Sequence, residues 1–290
     1  MSTDGKAAAP AATVTPDQVL ETLGRVRTGR VFDLSVSIAT GTPRLPGQTP
    51  FVLSMAMTPR DMRRTLAAMG IENDAGFVIE RVEMDLHTGT HIDALGHVAI
   101  GDAMYGGASV GDIVYSSGVA KLGAEEIPSF VSRGILLDIA KVAGVESLPL
   151  GHTVSADEVR AALQAADVTL GRGDVVLIHT GWLAANFVDP TKYAQPGYPG
   201  LGLEAADLLI EGGALVIGAD NISVEPMLSQ APPDFACVHK RCIVQAGVFL
   251  MENVRTEELV RAGITEFAFI GASVKVLGGT GGLTRPLAIV

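Results

Sequence analysis

Three of the six histidines in this 290-residue chain fall within one short stretch, His87-Thr-Gly-Thr-His91-Ile-Asp93-Ala-Leu-Gly-His97, with an aspartate between the second and third. A histidine costs free energy to bury unless both ring nitrogens find partners, so three together need a common cause. A metal ion is the simplest one, because neutral imidazoles and a carboxylate suit zinc and manganese alike. His87, His91 and Asp93 can surround one ion if the backbone turns between them. Gly89 permits that turn, and the Thr88 and Thr90 hydroxyls can brace the ligands. His97 comes four residues after Asp93, near enough to reach a bound water without ligating. A metal lowers the pKa of its water towards neutrality, and a neutral imidazole beside it can take that proton and return it to a leaving nitrogen. The spacing therefore predicts a hydrolytic centre. The plainer alternatives are a structural ion or satisfied surface histidines. Structural zinc sites usually close with four protein ligands, often cysteines, and none of that type is near.

The elements that must position this motif are those of an α/β chain. Phe77 to Leu86 alternates as a strand and delivers the chain into His87, placing the motif at a strand end that runs into a Gly-punctuated loop. Upstream, the spacing predicts a helix over Pro16 to Val26, a strand over Val31 to Ile38, a Pro/Gly loop over Gly41 to Pro50 and a short helical piece over Asp61 to Met69. Gly101 to Gly118, rich in glycine, is a candidate lid or pocket wall. Downstream, Gly134 to Ile139, Val175 to His179, Ala214 to Ala219, Gly247 to Glu252 and Phe267 to Ala272 read as apolar strands. Between them lie helical stretches: one behind the Ser155-Ala-Asp-Glu158 capping box, then Leu201 to Glu211, Val238 to Val244 after Pro232 and Pro233, and Thr256 to Arg261. No repeat or internal linker interrupts them. The expectation is one domain over residues 16–290 behind a flexible tail, residues 1–15.

Composition narrows the partners. Hydrophobic content of 48% with 18% charged residues supports a substantial core. Net charge of -11 and 5% aromatic residues argue against nucleic acid and anionic membranes. No apolar run approaches a membrane span. The Ala/Pro/Thr-rich start lacks the apolar stretch of a signal peptide. Cys237 and Cys242 read as two reduced core thiols, which points to a cytoplasmic protein. His152 and His179, outside the cluster, read as satisfied structural histidines. Asp220-Asn221 reads either as an Asx-type turn or, with Ser223 and Glu225, as pocket lining, and Trp182 as pocket wall or core filler.

Here the sequence resembles the cyclase family, whose members include bacterial kynurenine formamidases and isatin hydrolases. The resemblance rests on His87 to His97, similar to that family's HxGTHxDxxxH signature. It extends to Val31-Phe-Asp-Leu-Ser35 followed by Leu45-Pro-Gly47, to Gly173 through Trp182, and to Asp220-Asn-Ile-Ser-Val-Glu225, so it covers most of the chain after residue 30. It implies His87, His91 and Asp93 as metal ligands and His97 as the catalytic acid/base. It also implies a swivelling β/β/α fold and homo-oligomers, dimer or tetramer, in which neighbouring subunits help shape the pocket. Two-metal members use a later histidine and a strand-end glutamate, and His239 and Glu252 occupy matching places, with Asp93 then able to bridge two ions. One ion, commonly manganese, goes with isatin-hydrolase-like members, and two zinc ions with formamidases. Many formamidases carry Pro and Phe where this chain has Leu95 and Val98, and the Met104-Tyr105-Gly106 that follows looks more like longer members of diverse substrates.

The expected activity is therefore metal-dependent hydrolysis of a small-molecule, non-peptide C–N bond. A cyclic amide of the isatin or lactam type comes first and an N-formylkynurenine-type arylformamide second. A non-catalytic metal- or ligand-binding protein and a metal-dependent lyase on the same fold are the alternatives from other classes.

Overall fold

The computed structural model describes residues 13–72, 74–227 and 235–290. The expected tail falls mostly outside the described residues, as do Pro232 and Pro233; Thr15, its last residue, caps the helix Pro16–Gly24. In chain order the strands are β1 (Val31–Asp33), β2 (Val52–Met57), β3 (Ile79–Glu83), β4 (His91–Asp93), β5 (Val114–Tyr115), β6 (Gly118–Val119), β7 (Phe130–Asp138), β8 (Thr153–Val154), β9 (Val175–His179), β10 (Gly200–Leu201), β11 (Val216–Ala219), β12 (Phe249–Glu252), β13 (Glu266–Gly271), β14 (Gly281–Leu283) and β15 (Leu287–Ile289).

Nine of these form one mixed sheet in the order β1-β15-β13-β7-β9-β11-β12-β4-β14. The four central strands β7, β9, β11 and β12 run parallel. Every residue of β9, β11 and β12 is buried, as expected where crossover helices cover a parallel sheet and unbroken apolar runs replace alternation. The helices Ala156–Ala166, Leu203–Glu211 and the segment Cys237 to Ala246 supply those crossovers. The first opens with the predicted capping box, Ser155 Oγ accepting from Glu158 N while the Glu158 carboxylate accepts from Ser155 N. Antiparallel β13, β15 and β1 extend one side of the parallel core, and β4 and β14 the other.

The structure corrects the expectation for Phe77 to Leu86. Only Ile79–Glu83 is strand, every residue of it is exposed, and it pairs with β2 in a separate ribbon. The alternation there is real, but among the described residues no second sheet covers it. Residues 84–90 turn away from this ribbon, and His91–Asp93 is itself a strand of the main sheet. The predicted strand over Val31 to Ile38 likewise shortens to Val31–Asp33. Trp182 fills core, 4% exposed, its indole Nε1 donating to Tyr193 O at 3.0 Å. Cys237 and Cys242 are buried thiols that form no disulfide. Among the described residues no helix is long and apolar enough to cross a membrane.

Candidate metal centre

Strand geometry puts the first donors together. Successive side chains in a strand point to opposite faces, so His91 and Asp93 share one face of β4 while Ile92, 1% exposed, turns into the core. The register sets Glu252, the last residue of β12, directly opposite His91. Gly281 of β14 stands opposite Asp93, and a Cβ there would press on Leu86 O at 2.7 Å. His87 approaches through the turn at Gly89 (φ 68), where a Cβ would meet Ile38 Cγ1 at 2.8 Å, so a glycine is required. His239 enters from the start of the crossover segment between β11 and β12.

The donor atoms converge. His87 Nδ1 stands 2.9 Å from Asp93 Oδ1. His91 Nε2 lies 3.5 Å from both Asp93 Oδ1 and Glu252 Oε2. His239 Nε2 lies 3.5 Å from Asp93 Oδ2 and 3.3 Å from Glu252 Oε1. Thus Asp93 and Glu252 each span the two histidines. These last separations exceed those of a charge-assisted hydrogen bond. They match the edge of a tetrahedral shell, about 3.3 Å for zinc–ligand bonds of about 2.0–2.1 Å. Both Asp93 oxygens and His91 Nε2 are buried without an aligned hydrogen-bond partner, a costly condition that a cation relieves. Two groups of donors could each hold an ion: His91, Asp93 and Glu252, and His87, Asp93 and His97, the atoms of each group lying within 4.8 Å of one another. The residues present fit a divalent ion.

Electrostatics agree with the geometry. Burial raises the Asp93 pKa, but the imidazoles of His97, His239, His87 and His91 outweigh it and hold the carboxyl well below its usual range. Burial likewise opposes charge on His91, yet Glu252 and Asp93 push it up to about 9. Glu252 is held up by burial against the pull of His91 and His239. His239 is raised well above its ordinary value by Asp93, Glu225 and Glu252 despite burial. Both shifts favour positive charge beside the carboxylates, which is what a divalent cation would supply. His97 differs. Burial among protein atoms, opposed by Asp93 and reinforced by the other histidines, pushes it down to about 3. It is exposed and lines a cavity, and its ring lies 4.0 Å, centroid to centroid, from that of His87.

Further groups orient these side chains. His91 Nδ1 donates to Gly89 O at 2.9 Å, which also accepts from Asn253 Nδ2, and Asn253 Oδ1 accepts from Tyr193 OH at 2.7 Å. Thr90 Oγ1 bridges, donating to Asn253 O and accepting from Val36 N, so it ties backbone around the motif and not a ligand, and the Thr88 hydroxyl, expected to brace as well, is buried without a hydrogen-bond partner among the described residues. His87 Nε2 meets Thr280 Oγ1 at 3.3 Å. Asn253, Tyr193 and Thr280 carried no signal in the sequence, since nothing in their local pattern ties them to residues so distant. Three of the non-glycine residues with positive φ, Val224, Ala236 and Asn253, flank Glu225, the His239 helix and Glu252, the kind of position where strain accompanies function.

A cavity of about 480 Å³ reaches this centre, with His87, His97, His239 and Glu252 at its base and Leu45, Gln48, Val98, Tyr198, Met227 and Phe235 among its walls. The loop from 41 to 50 contributes Leu45 and Gln48. The segment from 101 to 118 does not line this cavity; it folds into short turns at Tyr105–Gly107 and Val110–Ile113. The wall comes instead from residues after β11, including Ser223 and Glu225. His152 pairs with Glu158 at 2.8 Å, and His179 Nδ1 meets Thr256 Oγ1 at 2.7 Å, both away from the cluster. Asp220 accepts from Thr180 N, Thr180 Oγ1 and Gly181 N, and so ties the turn after β9.

The family model for cyclases matches residues 32–226. A comparison with curated proteins finds no match. Among solved structures, one described as a novel cyclase superposes with a TM-score of 0.86 at 27% identity, covering 97% of this chain and 94% of that one. Isatin hydrolase A from Labrenzia aggregata, bound to benzyl benzoate, gives 0.64 at 22% identity, with 94% and 98% covered. A potential metal-dependent hydrolase with cyclase activity gives 0.58 at 19% identity, with 90% and 98% covered. The α/β fold is accordingly the swivelling β/β/α fold that the resemblance implied.

Proposed function

The chain belongs to the cyclase family, and on that premise we propose that it is a metal-dependent hydrolase that opens a cyclic amide of the isatin or lactam type. The observation that carries this reading is the set of buried donors without an aligned hydrogen-bond partner, both Asp93 oxygens and His91 Nε2, beside a substrate-sized cavity that His97 lines. Zn²⁺ or Mn²⁺ suits the donors: His87, His91 and Asp93 as ligands, with His239 and Glu252 completing the shell or holding a second ion. When bound, such an ion polarises a carbonyl and activates a water at neutral pH. His97 takes the proton from the attacking water and returns it to the departing nitrogen. Leu45, Val98, Met227 and Phe235 bury an apolar ring, while Gln48 and Ser223 offer hydrogen bonds to its polar edge.

The two donor groups that share Asp93 favour one second reading, a two-zinc arylformamidase. The experiment that tests both is metal content per chain, followed by mass spectrometry of reactions with cyclic amides and aryl formamides. Ring opening adds the mass of one water without fragmentation, whereas a formamide releases formate. Loss of water from the substrate, or no turnover by the ion-loaded protein, would sink the hydrolase reading.

We extend the proposal to a homo-oligomer. The ribbon of β2 and β3 exposes Val52, Leu53, Met55, Ile79 and Val82, beside Phe77 and Val78. An isolated two-stranded ribbon is marginal in water, and an apolar patch of this kind marks an interface. The helix Pro59–Ala68 between the strands carries Arg60, Arg63 and Arg64 on a chain of net charge -11, which complements a second acidic copy. Leu53 and Val82 face each other across the ribbon. Sedimentation should show a dimer or tetramer for the wild-type protein and a smaller species for Leu53→Glu/Val82→Glu. A monomeric wild type at micromolar concentration would overturn this assignment.

A further inference from the structure

Glu225 is only 2% exposed, in the loop that leaves β11, and nothing in its own strand or helix periodicity explains its burial. Its two oxygens collect four donors. Oε2 accepts from Val238 N at 2.9 Å and Cys237 Sγ at 3.3 Å; Oε1 accepts from His239 N at 2.8 Å and His239 Nδ1 at 2.6 Å. The backbone is bent to allow this. Val224 adopts φ 59, rare for any non-glycine residue and an outlier for a β-branched one. Its carbonyl is held there by Leu201 N at 2.8 Å and Asn221 Nδ2 at 3.2 Å. Gly200 lets the loop lie close, since a Cβ there would meet Glu225 C and Val224 O at 2.6 Å. Ala236, just before the receiving helical turn, is also left-handed at φ 57.

A simple cap for that turn needs only the two backbone N–H groups. The ring contact is additional, and it is the shortest of the four. It also has a directional consequence. An imidazole whose Nδ1–H is committed to a carboxylate has one orientation and one tautomer, with Nε2 left for whatever lies opposite. Opposite lie Asp93 Oδ2 and Glu252 Oε1, at 3.5 and 3.3 Å.

We propose that Glu225 is a positioning residue for His239: its Oε1 accepts a hydrogen bond from His239 Nδ1–H and so presents Nε2 to Asp93 and Glu252 before any ion arrives. This rests on reading His239 as a ligand. It makes the strained Val224 turn the device that aims the carboxylate, and it gives Glu225 a role beyond lining the cavity. The residue acts through His239 and touches no substrate in this assignment.

Two measurements test it. In nitrogen-detected NMR of metal-free wild-type protein, His239 should show a proton on Nδ1 that exchanges slowly with solvent. A bare Nδ1 overturns the proposal, and this reading needs no variant to fold. Zinc titration of Glu225→Gln should then show affinity about 10- to 100-fold below wild type. The same substitution in a His239→Ala background should cost nothing further, because a positioning residue has no effect without the group it positions. Equal losses in both backgrounds, or an unchanged zinc affinity, would overturn it. A wild-type protein that binds no zinc or manganese would refute the metal-dependent hydrolase instead, and the tautomer measurement would still decide the role of Glu225.

Discussion

Asp93→Asn is expected to abolish divalent-ion binding, and its melting temperature should be the same with or without zinc. Wild-type protein, in contrast, should gain stability as the ion is added, by about 4 kcal/mol at a free ion concentration a thousand times its Kd. The argument is positional. Asp93 is fully buried, contacts His87 and His91 through one oxygen and His239 through the other, and belongs to both donor groups. No other residue is common to both. An asparagine keeps the shape but replaces one acceptor oxygen with a donor and removes the charge that offsets the cation.

The metal-free variant should also lose a pH-dependent contribution. Burial alone would lower the pKa of His91, and Glu252 with Asp93 raises it to about 9 against that effect. A folded-state pKa above the ordinary value of 6.5 gives stability that is complete below about 6.5 and lost as pH rises through 9. Denaturant titrations of metal-free protein across that window should show the decline in wild type and a shallower one in Asp93→Asn. Retained zinc affinity in the variant would place the ion elsewhere.

His97→Ala carries the second large effect. Turnover should fall by about 10²- to 10⁴-fold, the range for loss of a general acid/base, with ion content unchanged, whereas His91→Ala should lose the ion. Single-turnover rates together with metal analysis separate the two. The structure sharpens what is at stake. His97 belongs with His87 and Asp93 to a group that could itself hold an ion, and its ring lies 4.0 Å from that of His87. If His97→Ala sheds an ion along with activity, His97 is a ligand, and the division of labour read from the motif must be redrawn. If activity survives, proton transfer by His97 is wrong.

Much of this was legible in order along the chain. The apolar runs of β9 and β11 announce buried parallel strands because no polar alternation interrupts them. Ser155 and Glu158 mark a helix start because their capping bonds are local. The failures share a cause as well. Phe77 to Leu86 alternates like a half-buried strand, but alternation cannot say whether anything covers the apolar face, and here nothing among the described residues does. His91–Asp93 is too short and too polar to read as a strand, yet β12 and β14 pair on either side of it.

The same division holds for the opening motif. The sequence alone determined that His87, His91, Asp93 and His97 lie close together, since a few intervening residues and the turn at Gly89 leave them little freedom to separate. It also singled out His239 and Glu252 by resemblance. Only the tertiary structure decided that Glu252 stands across from His91 and that Asp93 lies between His91 and His239. It also decided that Glu225 and Thr280 meet ring nitrogens of His239 and His87, and that Asn253, held by Tyr193, reaches the Gly89 carbonyl to which His91 is bonded. Those relations depend on strand register and on crossovers that join distant segments. Register is set by packing the whole sheet, so no local stretch of residues encodes it.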